Sequence, residues 1–122
     1  MLPPIFDLIA ADASCNALLG AGSACRIYPA GDAPPDVARP YVTWLVVSGS
    51  AHNSLADAPP MDAMTVQVDC WGDTLASAKA TAISVRAALE VMGSLSAYNP
   101  SDRDTETGRY RLSFDIEFQL RR

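Results

Sequence analysis

Histidine is nearly missing from this sequence, His52 being the only one among 122 residues. One imidazole amid carboxylates that follow no ligand spacing does not make a zinc or calcium site. Cysteine is scarce as well: Cys15, Cys25 and Cys70 are an odd number at spacings that match neither a zinc nor a redox pattern. They read as reduced thiols, with Cys70 in the core. Positive charge is thin and dispersed, nine Lys and Arg against fourteen Asp and Glu for a net charge of −5, with Arg121-Arg122 the only basic run. That balance argues against a protein that grips nucleic acid through its phosphates, which needs clustered cations. It is compatible with an acidic surface that lets a polyanion pass without sticking. No apolar run approaches the length of a bilayer span, and Met1 to Ile9 shows neither a basic leader nor a small-residue cleavage site, so synthesis in the cytoplasm is expected.

What the chain does have is enough apolar material for one core. At 122 residues, 49% hydrophobic and 19% charged, it reads as a single globular domain over residues 1–122. The plainest element is the last one. Tyr110, Leu112, Phe114, Ile116, Phe118 and Leu120 alternate with Arg109, Arg111, Ser113, Asp115, Glu117 and Gln119, the period of a half-buried strand. At about 3.3 Å per residue this strand runs roughly 40 Å, longer than one small sheet requires.

Upstream, Pro3-Pro4 suits a helix entrance, and Ile5, Leu8, Ile9, Ala13 and Ala17 form an apolar stripe that ends at Gly20, as one helix or as two broken near Ala13. Arg26 to Tyr28 is a short strand ended by Pro29. The proline-rich stretch from Ala30 to Pro40 is a surface connector. Tyr41 to Val47 reads as a central strand covered on both sides, and Met64 to Trp71 as its antiparallel partner with Val66, Val68 and Cys70 inward. Between them, Ser48 to Asp62 reads as a long loop. Asp73 or Thr74 caps a helix with the stripe Leu75, Ala78, Ala82, Val85, Leu89 and Met92, closed by Gly93. Ser94 to Tyr98 is a short strand, and Asn99 to Gly108 a polar, exposed loop. The order predicts an α+β fold: a two-layer sandwich in which a mostly antiparallel sheet of four to five strands packs on two main helices.

Few residues suggest chemistry. His52, Cys70 and Asp69 could be imagined as a nucleophilic set, but Cys70 points to the core while Asp69 points to the other side of the same strand. Asp102, Asp104 and Glu106 alternate like calcium ligands without the glycine and closing glutamate of that motif, and read as a solvated acidic loop. Gly20, Gly22 and Gly31 lack the lysine and the strand-to-helix setting of a phosphate loop. Trp71 shares its strand face with Thr65, Gln67 and Asp69, which makes it either core or an anchor in a subunit interface.

Taken in order, Pro3-Pro4-Ile5-Phe6, Arg26-Ile27-Tyr28-Pro29, Arg39-Pro40-Tyr41-Val42-Thr43-Trp44, Val66-Gln67-Val68-Asp69-Cys70-Trp71, Val85-Arg86-Ala87-Ala88-Leu89 and Thr105-Glu106-Thr107-Gly108-Arg109-Tyr110-Arg111 resemble the tail completion family of long-tailed bacteriophages, prophages and gene transfer agents. The resemblance implies a structural protein and no enzyme: a ring, usually a hexamer, that caps the tail tube. Its partners would be copies of itself, the tail tube protein and the head-completion or neck proteins, with DNA passing through the lumen. No cofactor, metal or membrane is implied. Such a ring needs two different complementary patches per subunit. The overlong last strand and the Ser48 to Asp62 loop are expected to supply them, giving Trp71, Phe118, Leu120, His52, Asn53 and Leu55 as interface candidates. Asp102, Asp104 and Glu106 are candidates for the channel or neck side. Two alternatives stay open: another head-to-tail connector, or a cytoplasmic α+β binding module that forms no ring.

Overall fold

The computed structural model of the protein describes residues 2–52, 61–104 and 107–121. The N-terminal helical stripe is two helices, α1 (Ile5–Ala10) and α2 (Ala13–Leu19). Asp12 causes the break: its backbone is extended and its carboxylate accepts from the amide of Cys15 at 3.0 Å, capping α2. Strand β1 (Ile27–Pro29) follows, then the long strands β2 (Tyr41–His52) and β3 (Met61–Gly72). Thr74 accepts from the Ser77 amide and caps α3 (Leu75–Leu89), after which come β4 (Gly93–Tyr98), β5 (Asp102–Arg103) and β6 (Tyr110–Arg121).

The strands form one sheet in the order β1-β2-β3-β6-β4, with β5 extending the far end of β6. All pairings are antiparallel except β1 with β2, so the α+β expectation holds with a mixed sheet. The three helices cover one face. Val42, Val66, Val68, Cys70, Phe114, Ile116, Phe118 and Leu120 point into that layer and meet Ile5, Ile9, Leu19, Val85 and Leu89. Among the described residues, the opposite face carries no helix.

Four expectations are corrected. Ser48 to Asp62 is strand at both ends: β2 continues to His52 and β3 begins at Met61, the small residues Ser48 and Gly49 being held by pairing with Thr65 and Met64, while residues 53–60 lie outside the described residues. Tyr41 to Val47 is not covered throughout, because β1 spans only Val42 to Trp44 and leaves Leu45, Val46 and Val47 at 37%, 37% and 44% exposure. The α3 stripe is shorter than its periodicity, with Leu75 and Met92 exposed. Gly93 is no helix cap. It opens β4, where a Cβ would stand 2.5 Å from Ile116 Cγ2 and 3.0 Å from Phe118 Cε1, so the strand reaches β6 only because this residue lacks one.

Candidate assembly surface

The register of the sheet dictates what the open face presents. Because side chains alternate, Tyr41, Thr43 and Leu45 share it with Trp71, Asp69 and Gln67 on β3 and with Arg111, Ser113 and Asp115 on β6. At one end these side chains interlock. Tyr41 and Trp71 stack with centroids 5.8 Å apart and planes 5° from parallel, and Trp71 Nε1 donates to Thr43 Oγ1 at 3.1 Å. Arginines close both ends of the stack: Arg109 lies 5.5 Å from the Tyr41 ring and donates to its hydroxyl at 2.8 Å, and Arg111 lies 5.9 Å from the Trp71 ring. Arg109 also donates to the carbonyl of Pro35 at 3.0 Å, pinning the proline-rich connector. Arg111 grips Asp102 through two bonds of 3.1 and 3.0 Å and comes within 3.8 Å of Asp69. Asp69 is buried and takes two further bonds from the Gln67 amide.

The other end is plainer. Ser48, Gly49, Ala63, Thr65 and Glu117 line a shallow polar depression, and Gln119 donates to Glu117 at 2.8 Å. On the helical side an apolar groove of about 420 Å³ runs between α3 and β4, lined by Leu75, Ala82, Ile83, Tyr98 and Phe114 with Lys79 and Arg86 at its rim.

The interface candidates therefore separate. Trp71 stands on the open face, half-buried in the aromatic and arginine stack. Phe118 and Leu120, at 0% and 5% exposure, belong to the core of their own chain, and naming them as contacts to a neighbour is corrected. The helical layer reaches the end of β6 and shelters them. His52 ends β2, and its side chain lies outside the described residues, as do Asn53 and Leu55. Of the channel candidates, Asp102 is exposed but bound to Arg111, Asp104 is exposed in the turn closed by the Gly108 amide, and Glu106 lies outside the described residues.

The imagined nucleophilic set does not come together around Cys70 and Asp69. Cys70 is buried beside Val66 and Val68 while Asp69 lies on the opposite face. Burial pushes the Cys70 thiol well up, and that of Cys15 from 9.0 up to about 12, away from the thiolate form a nucleophile needs. No group of three or more His, Cys, Asp or Glu gathers among the described residues.

Sequence reasoning missed the arginine and aromatic stack. Its members, Tyr41, Trp71, Arg109 and Arg111, are far apart in the chain, Tyr41 and Arg109 by 68 positions, and meet only through the strand register.

A helix-backed sheet with one packed face, one polar ordered face and two unlike edges defines a small two-layer α+β subunit. The family comparison gives it a place: the model for tail completion protein gp17 matches residues 3–120, and the chain belongs to that family. Its fold is shared with a chain in the structure of the virion of a native gene transfer agent particle, at 17% identity and a TM-score of 0.60, covering 97% of this chain and 92% of that one. A comparison with curated proteins gave no match.

Proposed function

We propose that this chain is a structural subunit that completes a phage-type tail, assembling as a ring, usually a hexamer, that stops growth of the tail tube and presents a surface to the neck. The family match across residues 3–120 carries the reading. Three further features support it. The fold likeness to a chain of a gene transfer agent virion suits incorporation at the head-to-tail junction of a particle. The sheet has two different edges, β1 with β2 on one side and β4 on the other, as a closed head-to-tail ring requires. The net charge of −5 suits a lumen through which DNA slides without being held.

On this reading the aromatic and arginine stack is a stiffener. It locks the connector and the acidic loop onto the sheet, so that the surfaces facing tube and neck keep their shape.

The test uses the tail tube protein from the same genome. Added to polymerising tube protein, this chain is expected to cap tube ends and shorten the tubes in proportion to the amount added, as seen by negative-stain microscopy. Tubes of unchanged length with unoccupied ends would refute the capping role. Binding to neck protein alone would instead favour a connector on the head side of the junction.

A further inference from the structure

Two stretches of sheet edge are left without a strand, and they match. On one side β1 pairs with β2 only from Val42 to Trp44, so the outer edge of β2 from Leu45 to Gly49 has no strand beside it among the described residues. On the other side β4 pairs with β6 along one edge, and among the described residues no strand lies beside its second edge. The register places both at one height. Leu45 is level with Gln67, Asp115 and Ala97, Val46 with Val66, Ile116 and Leu95, and Gly49 with Met64, Phe118 and Gly93. The five residues left open on β2 thus face outward at the level where β4 runs on the opposite edge.

The chemistry of the two stretches agrees. Leu45, Val46 and Val47 form a run of three partly exposed apolar residues at the open part of β2, the kind of edge that templates pairing with another chain. Asp32, exposed, lies three residues past Pro29, the end of β1, which is level with Trp44. Beside β4, exposed Lys79 and half-buried Arg86 rim the groove at Tyr98, which is level with Phe114 and so also with Trp44. An acid thus follows the strand beside β2 on one flank, and a lysine and an arginine rim the groove beside β4 on the other.

We propose that copies of this chain join edge to edge, β4 of one copy pairing antiparallel with residues 45–49 of β2 in the next, with Lys79 of the first near Asp32 of the second. Because β2, β3, β6 and β4 alternate in direction, the incoming β4 meets β2 antiparallel without any strand being turned round. Main-chain hydrogen bonds supply the affinity, as in strand addition generally, and the step left by the short β1 sets the register. The contact is heterologous and leaves a β4 edge and a β2 edge free until the ring closes. This inference rests on the ring reading and adds which surfaces mate.

The test is a cysteine pair, Leu45→Cys with Ala97→Cys, in the full-length chain. Within one chain these strands are three spacings apart, roughly 14 Å, too far for a disulfide, whose Cα atoms lie about 4.4–6.8 Å apart. Cys15, Cys25 and Cys70 are buried and stay out of the reaction. Mild oxidation is expected to give a covalent ladder of multimers that reductant reverses, while either substitution alone gives at most a trace of dimer. A second pair, Ser48→Cys with Ser94→Cys, which stand level through Thr65 and Glu117, tests the pairing in the same way and stands in should the first variant not fold. The charge contact is read separately: Lys79→Glu should lower the assembled fraction several-fold, and adding Asp32→Lys should restore it. Mass in solution is measured on the same samples. A ring-sized species that neither pair cross-links overturns the edge pairing and leaves the ring standing. Strong dimers from a single substitution overturn it in favour of a two-fold contact. A monomer at every concentration, without cross-links, overturns both.

Discussion

Replacing Arg111 by alanine tests how the open face is held together. The guanidinium makes two bonds of 3.1 and 3.0 Å to Asp102, lies 5.9 Å from the Trp71 ring and approaches Asp69 to 3.8 Å. Asp102 is well exposed, so that ion pair contributes less than about 1 kcal/mol. The stacking on Trp71 adds about 0.5–1 kcal/mol. Asp69 dominates. Its side chain is 10% exposed, and an attraction at this distance and an effective dielectric near 20 is roughly 4 kcal/mol before desolvation; a loss of about 2 kcal/mol is expected, because Gln67 still donates to the carboxylate. The sum for Arg111→Ala is about 3 kcal/mol. Asp69→Asn in the same background removes the stranded charge and should recover about 1–2 kcal/mol, giving a coupling of that size in a double-mutant cycle. Urea unfolding followed by tryptophan fluorescence measures all four proteins, since Trp71 sits in the stack. Additive losses, or an Arg111→Ala cost below about 0.5 kcal/mol, would refute the claim that this network braces the face.

Two further expectations follow from single positions. Gly93→Ala places a Cβ 2.5 Å from Ile116 Cγ2 and should cost about 2 kcal/mol or more, read as a lower urea midpoint at unchanged slope; a neutral result would mean that β4 shifts freely. Burial raises the Cys15 thiol from 9.0 to about 12, so the native state keeps a proton that the unfolded chain gives up. Stability from this site is therefore full below pH 9 and falls as pH rises toward 12, by about 1.4 kcal/mol at pH 10, and Cys15→Ala should flatten that part of the profile.

How much of this was legible in the chain depends on whether local pattern or distant pairing decides. The alternation from Tyr110 to Leu120 states which side of β6 is buried, and Thr74 states where α3 begins, because both are properties of neighbouring residues. Neither says how far the helical layer extends, and for that reason the sequence alone does not reveal that Phe118 and Leu120 are core. Ser48 to His52 has weak strand propensity, and it is strand because β3, itself zipped to β6, holds it in register. The stack of Arg109, Tyr41, Trp71 and Arg111 had no local signal at all. Trp71 looked like core or interface from its neighbours in sequence; its actual partners, Tyr41 and Thr43, come from the adjacent strand.

The central claim is that this subunit works as a closed ring, and its most direct test is the mass of the purified protein by light scattering or native mass spectrometry over a range of concentrations. The account predicts a discrete species near six times the 12.9 kDa chain, with the outline of a ring under the microscope. A single 12.9 kDa species at all concentrations, with no ring at the end of the assembled tail, would contradict it.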